Sequence, residues 1–549
     1  MAIEKIKITN FKCFKETFTL ELNQGLNILV GKNEVGKSTI LEAIHLALTG
    51  YHNGKSIRHE LSQYIFNIDT VKEYISSVQK GNCKTTPPSI VIEIFYNGSN
   101  GNPEFEGNKN SENVTETCGF TLSIELDEKY QDSYEVLIRE KGSNLSSLPL
   151  EYYTVKWETF ARKYVTPREI KLFSSLIDSS RNNHKNVSDS YVTRIIKNNL
   201  EENERVTLAQ AHRELSTQFA QNEGIRALNK KINKTDNITD DVVTLGIDLG
   251  SKSTWENTLI ALANDIPFSL MGKGTQCILK TELSLSSKEH ERAGIVLIEE
   301  PECHLTHSYL QKLVQYISQH SQGKQIIIST HSSYVTNKLG LENVIMLRYK
   351  EWITLNQLPI DTASFFKKVT GYDTLRYILC SKAILVEGPS DDLVIQKAYY
   401  EKHGCYPADN GIDIISVGTS FGRFLDIASH LPILTHIVTD NDGKPELLKI
   451  KYGKYSTHTN IKAFFDETSR NLPNDLIPVL GEKFNYNTLE PLILKENGES
   501  TLNSIFGTSH NTANLLLFMK ENKTDCALKI FLHTGSLKFP NYIQQAIEI

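Results

Sequence analysis

No apolar run in the chain approaches the ~20 residues that a membrane-spanning helix requires. The first six residues, Met1 to Ile6, lack the charged-then-apolar order of an export signal. No membrane partner is expected, and the expected location is cytoplasmic. Eight cysteines are scattered without a C-x-x-C pair, which argues against a zinc ribbon or a disulfide framework and for reduced thiols. Positive charge is also short. The net charge is −6, so any nucleic acid must be met by local basic patches rather than by the whole surface. There is no internal repeat and no low-complexity tract. What remains is 549 residues, 39% hydrophobic and 23% charged. That is enough for more than one domain, because single cores stop growing near ~250–300 residues.

Gly31 to Thr39 reads G-x-x-x-x-G-K-[ST], between the apolar run Leu26–Val30 and an apolar-periodic run from Ile40. Strand, glycine loop and a helix over 38–49 are expected, the Walker A arrangement. Glycines let backbone N–H groups turn inward as a nest for anionic oxygens. The helix N-terminus adds partial positive charge there. Asn33, Gly36, Lys37, Ser38 and Thr39 are therefore the candidate nucleotide contacts. Lys37 is placed to reach the β- and γ-phosphates, and the Ser38 hydroxyl to ligate Mg²⁺.

Ile295 to Ile298 is apolar and runs into Glu299-Glu300-Pro301-Glu302. A buried strand would place Glu299 at its end to hold the Mg²⁺ hydration shell, and Glu300 to polarise an attacking water. Gln325 to Ser329 is a second buried strand, with His331 beyond it as a candidate sensor of the γ-phosphate. Met271 to Gln276, with Gly272 and Gly274, opens a helix and is an anion site in its own right. It suits a phosphate brought by a neighbouring subunit.

Elsewhere, alternation predicts strands near Ile3–Ile8, Phe18–Leu22 and Ser89–Tyr96, and a strand pair at Thr121–Leu126 and Tyr134–Arg139. Residues 168–239 change character and are expected to be a helical insertion, a candidate for dimerisation. Segment 181–234 has ten Lys/Arg against six Asp/Glu but no sustained heptad. Asp240 to Leu249 is expected to return to strand, Thr254 to Asn264 to be helical, and 341–380 to hold a strand near Val344–Arg348 followed by helix.

A second α/β pattern starts at Ala383. The strand Ala383–Val386 ends in Glu387, and Asp391 follows at a helix start. His436 to Val438 ends in Asp440-Asn441-Asp442. Alternate residues at a strand end point the same way, so Asp440 and Asp442 are expected to converge on one cation. Clustered carboxylates without soft ligands suit Mg²⁺ or Mn²⁺ and metal-assisted chemistry on phosphodiesters. Glu490 is a further acid, and Lys523 opens a late helix. Five lysines between Lys444 and Lys462, with Glu446 the one acid among them, are the local candidate for phosphate contact.

Walker A, Glu299–Glu300, Gly272–Gln276, His331 and the opening Ile6-Lys7-Ile8-Thr9-Asn10-Phe11-Lys12 together resemble the ATP-binding-cassette (ABC-type) heads of the SMC and RecF class. Glu387, Gly418 and Asp440–Asp442 resemble a TOPRIM domain. An ATPase head followed by TOPRIM resembles the OLD (overcoming lysogenization defect) family. That resemblance implies an α/β chain: an ABC-type head over 1–167 and 240–380, the helical insertion over 168–239, and a TOPRIM nuclease domain over 381–549. It implies ATP and Mg²⁺ (or Mn²⁺) as cofactors and two-metal cleavage of DNA. Glu387 and Asp391 would bind one metal, Asp440, Asp442 and Glu490 the second, and Lys523 would stabilise charge at the scissile phosphate. It implies a homodimer or higher homo-oligomer, a role in bacterial antiphage defence, and a partner that is a helicase, as in Gabija systems, or a reverse transcriptase with its nucleic acid, as in retrons. The competing reading is a RecF-like ATPase clamp whose TOPRIM module binds DNA without cutting it.

Overall fold

The structure, a computed structural model, describes residues 1–82, 84–97, 103–112, 117–170, 172–178, 202–232, 261–286, 294–321, 323–348, 351–369 and 371–549. The chain divides into two compact units. One comprises Met1–Leu29 with Asn33–Thr330, and the other Val30–Lys32 with His331–Ile549.

Among the described residues the first unit holds two large sheets and two short two-stranded pairs. Strands β1 (Ile3–Thr9) and β2 (Phe18–Glu21) form where the isoleucine and phenylalanine alternation predicts them. Strand β3 (Leu26–Gly31) follows and belongs to the other sheet. With β4 (Ile90–Tyr96), β5 (Thr117–Leu126) and β6 (Tyr153–Thr159), β1 and β2 make an antiparallel sheet in the order β2–β1–β4–β5–β6. The second sheet is parallel, with β7 (Phe173–Asp178), β8 (Gly294–Glu299) and β9 (Gln325–Ser329) leading to β3 in the order β7–β8–β9–β3. Helix α1 (Lys37–Thr49) leaves β3 and touches both sheets. Trp157 of β6 donates its indole N–H to the Ala47 carbonyl at 2.8 Å, and His45 Nδ1 meets Ser174 Oγ of β7 at 2.9 Å. This explains why α1 is apolar nearly all round.

Three sequence expectations change here. Tyr134–Arg139 is not a strand but part of the helix Gln131–Lys141. Tyr134 and Ile138, four residues apart, are buried at 3% and 4% while Val136 is 48% exposed, so the burial period is helical, and β5 pairs with β6 instead. Residues 173–178, inside the segment expected to be helical, form β7 of the parallel sheet. The helices Glu202–Gln221 and Glu223–Ile232 are present as expected. Of the expected helix over 254–264, Leu262–Ala263 is a two-residue strand paired with Ile266–Pro267. Its earlier part and Asp240–Leu249 lie outside the described residues.

The second unit begins with the helix Ser333–Leu339 and the hairpin Val344–Arg348 with Glu351–Thr354. Its core is a four-stranded parallel sheet of β10 (Lys382–Val386), β11 (Ile412–Ser416), β12 (Leu434–Val438) and β13 (Ile461–Phe464), in the order β11–β10–β12–β13. From β10 the chain goes first to one side, to β11, and then returns to the other, to β12. Strand order therefore reverses between β10 and β12. In an open parallel sheet such a reversal leaves a crevice beyond the carboxyl ends of the two strands. Glu387 and Asp440 leave those two ends.

Candidate nucleotide and metal sites

In the first unit the parallel register aligns Asp178, Glu299 and Ser329 at the carboxyl ends of β7, β8 and β9. The phosphate loop leaves the adjacent strand β3. Gly36 caps α1 at φ 101°. A Cβ there would come within 2.5 Å of the Phe14 ring, so only glycine satisfies both the left-handed backbone and the close approach. The Lys37 side chain is buried. Burial lowers its pKa below the ordinary lysine range, although the charges of Glu300, Glu299 and Glu302 pull the other way. Ser38 and Thr39 are half-buried, and Asn33 is exposed. Cys13 donates a weak hydrogen bond to Thr39 Oγ1 at 3.5 Å.

Glu299 ends β8 and is 5% exposed. Glu300 follows in a left-handed backbone conformation, φ 44°, unusual for a residue with a Cβ. Its carboxylate accepts a hydrogen bond from Cys303 Sγ at 3.1 Å. Burial and that contact push the Cys303 thiol up to about 12. Glu302 accepts from Thr330 Oγ1 with both oxygens, at 2.8 and 2.9 Å. Glu299, Glu300 and Glu302 are thus gathered toward Lys37, as far as the first two were predicted. Asp178 beside Glu299 was not.

Gly272 and Gly274 lie at the start of the helix Lys273–Ser286, as the sequence implies. Gly272 has open space around it. A Cβ on Gly274 would meet the His304 carbonyl oxygen at 2.4 Å, so close packing on the loop after β8 already requires a glycine at that position. His331 belongs to the second unit, opening its longer segment; it is exposed and two residues past β9.

The second unit gathers its acids at the crevice. Each carboxylate there has an oxygen held by a protein donor. Thr439 Oγ1 donates to Glu387 Oε1 at 2.6 Å, and Gly388 N donates to Asp391 Oδ2 at 3.0 Å. Leu489 N donates to Asp440 Oδ2 at 3.2 Å. Glu490, buried in the first turn of the helix Leu489–Asn497, accepts from Thr488 Oγ1 at 2.8 Å and pairs with Lys523 Nζ at 2.9 Å. Asp440 Oδ1 is buried with no hydrogen-bond partner.

Burial, then the charges of Asp391, Glu387 and Glu490, hold Asp440 well above the usual carboxylate range. Burial and Glu387 push Asp391 up to about 6, against the Gly388 amide and Lys523. Burial works to lower Lys523, but Glu490, Asp440 and Asp391 outweigh it and its pKa is raised. Tyr542, from the C-terminal helix Asn541–Ala546, is buried beside these acids, and nothing in its sequence surroundings signals it.

Asp442 does not join this group. The chain leaves β12 at Val438, so the two-residue alternation of a strand no longer applies at 440–442. Asp442 is exposed at φ 48°, and Asn485 Nδ2 donates to its Oδ1 at 2.6 Å. It is not among the largest influences on Asp391, Asp440 or Lys523.

Among the described residues no group of three or more His, Cys, Asp or Glu side chains is gathered tightly enough to hold a metal ion alone. The donor set nevertheless fits Mg²⁺ or Mn²⁺. These ions are commonly held by one or two carboxylates, with water and substrate phosphate completing the shell, and Asp440 Oδ1 is an oxygen with no donor. The lysine-rich segment forms the helix Pro445–Gly453. Lys449 pairs with Glu446 at 3.2 Å, Lys451 and Lys454 lie over the rings of Tyr452 and Tyr455, and both rings are buried. No helix among the described residues is long and apolar enough to cross a membrane.

Comparison with known proteins agrees with this two-part construction. Residues 1–336 match the AAA ATPase domain family, and residues 378–442 match the TOPRIM domain of overcoming lysogenization defect protein-like proteins. The chain is 23% identical to the endonuclease GajA of Bacillus cereus (strain VD045) over 487 residues, 83% of this chain and 76% of that protein. It is 33% identical to the DNA replication and repair protein RecF of Clostridium kluyveri over 102 residues, 18% of this chain and 26% of that one. Among solved structures, an Smc head bound to the C-terminal winged-helix domain of ScpA covers 65% of this chain and 99% of its own, at 12% identity and a TM-score of 0.33. With an AAA-type ATPase domain over more than half its length and an OLD-like TOPRIM domain after it, the chain belongs to the OLD family of ATPase–TOPRIM nucleases.

Proposed function

We propose that this protein is an ATP-regulated, divalent-metal-dependent DNA endonuclease of bacterial antiphage defence. The observation that carries this reading is the crevice between β10 and β12. There Glu387, Asp391, Asp440 and Glu490 accumulate more negative charge than burial tolerates, and Lys523 pairs with Glu490 at their edge. A cation is the natural complement of such a site. Mg²⁺ or Mn²⁺, when bound, supplies an activated water and neutralises charge at a phosphodiester. Glu387 and Asp391 would hold one ion, Asp440 and Glu490 would share a second, and Lys523 would face the phosphate on which charge develops. Asp442 takes at most a rim position.

ATP is read at the other site. Asn33, Gly36, Lys37, Ser38 and Thr39 would hold its phosphates, Ser38 and Glu299 its Mg²⁺, and Glu300 the attacking water. His331 would sense the γ-phosphate, and Gly272 and Gly274 would meet the nucleotide of a second copy in a homodimer. The head would comprise 1–167 and 240–380 around the insertion, with the blade at 381–549. The partner would be a helicase or a reverse transcriptase, in the cytoplasm.

Supercoiled plasmid incubated with Mg²⁺ or Mn²⁺, with and without ATP, tests the reading. Metal-dependent cutting that ATP modulates is expected, and Asp440→Ala should abolish it. An Asp440→Ala protein that cuts like its parent would remove the metal assignment. ATP-dependent DNA binding without cutting under any metal would favour the RecF-like clamp.

A further inference from the structure

The loop after β8 presents three acids to one buried lysine, an arrangement that the acids' mutual repulsion works to open. Two pins hold it closed. Its backbone is tied to the next strand, since Glu300 N donates to Ser329 O at 2.9 Å, and the turn closes on itself where Cys303 N donates to Glu300 O at 3.0 Å. Its outermost acid, Glu302, is gripped by the Thr330 hydroxyl on both carboxylate oxygens, at 2.8 and 2.9 Å. Thr330 is completely buried, and its own N–H continues the ladder to Leu29 O at 3.2 Å. This donor therefore sits on a rigid strand end, while its acceptor sits on a turn with two left-handed residues, Glu300 at φ 44° and His304 at φ 62°.

We infer that Thr330, acting through Glu302, is a positioning residue for nucleotide hydrolysis. It fixes the turn that carries Glu300, and so fixes the carboxylate that must face the attacking water. A buried hydroxyl whose task is only to fill space could be a valine. One whose task is to aim a carboxylate cannot, because a small displacement of a catalytic group costs rate rather than binding. The inference rests on the reading of Glu300 as the hydrolytic acid.

The test compares Thr330→Val, which keeps the shape and removes the donor, with Thr330→Ser, which keeps the donor, in steady-state ATP hydrolysis by the full chain. Thr330→Val should lower kcat roughly 10- to 100-fold with KM for ATP unchanged, and Thr330→Ser should restore most of it. Cutting of plasmid without nucleotide should be equal in all three proteins, which reports that the variants are folded. The inference is overturned if Thr330→Val hydrolyses ATP like its parent, or if Thr330→Ser falls as far as Thr330→Val. Failure of the underlying reading looks different: the parent would not hydrolyse ATP, or Glu300→Gln would hydrolyse it normally.

Discussion

Lys37 and Lys523 are each a lysine among acids at the carboxyl ends of parallel strands, yet their protonation shifts in opposite directions. At Lys37 burial wins over Glu300, Glu299 and Glu302, and the ammonium is destabilised. At Lys523 Glu490, Asp440 and Asp391 win over burial, and the ammonium is stabilised. The carboxylates around it carry the strain instead, with Asp391 and Asp440 both raised. The first site is a buried cation in a glycine cradle that gains from an incoming anion, as a phosphate nest should. The second is an excess of anions that one lysine does not satisfy, and it gains from an incoming cation. Topologically similar strand ends thus acquire opposite ligand preferences through burial and the balance of like charges.

The largest break in that comparison is Asp440→Asn. It removes the carboxylate with the unpartnered buried oxygen. Cleavage should fall by more than the roughly 100-fold that outer-shell changes around a metal cost. The same substitution relieves repulsion, so the melting temperature of the metal-free protein should rise while activity disappears. A fall in both would mean that the acids are not in mutual conflict. Next in size is Lys37→Ala. Loss of a charge-assisted phosphate contact should weaken ATP binding about 10- to 100-fold, measured by titration calorimetry. ATP should then no longer raise the melting temperature, and metal-dependent cutting without nucleotide should persist.

Asp391 also sets a pH window. Asp391 binds its proton more tightly folded than unfolded, with a pKa of about 6 against 3.8. Between those values the native state holds more protons than the unfolded one, so stability falls as pH rises. The whole shift is at most about 3 kcal/mol, lost from pH ~4 to ~6 in the metal-free protein. Mg²⁺ competes with that proton and should recover the loss. Chemical denaturation at pH 4.5 and 7, with EDTA and with Mg²⁺, checks both halves. Metal-free protein equally stable at the two pH values would contradict the raised Asp391.

Much of this was legible in the sequence where the signal is local. The glycine loop, the apolar strands β8, β9, β10 and β12, and the acids that leave β8, β10 and β12 all follow from periodicity and a strand end. What was not legible depends on register or on turns. Asp178 lies beside Glu299 only because β7, a strand with two serines in its middle, pairs with β8 far along the chain. Tyr134 to Arg139 alternates well enough to pass for a strand over six residues, and only burial of Tyr134 and Ile138 with Val136 exposed settles the helix. Glu490 and Lys523 come from separate helices, and their pairing has no short-range signature.

Asp442 is the smallest expected effect and the sharpest test of where the second site ends. The D-x-D spacing places it with Asp440, whereas its left-handed backbone, its exposure and its bond to Asn485 place it outside the acid group. Asp442→Asn is a clean probe. Asparagine tolerates φ 48° as well as aspartate does, keeps a carbonyl oxygen for Asn485, and removes only the charge. If the acid group is Glu387, Asp391, Asp440 and Glu490, the variant should cut plasmid within about twofold of its parent, as exposed substitutions usually do, and its Mg²⁺ dependence should not move. A loss comparable with that of Asp440→Asn would show that metal or DNA draws Asp442 inward. The blade would then have to rearrange its turn at 440–442 to become active, whereas the phosphate loop has its glycine and lysine in place before nucleotide arrives.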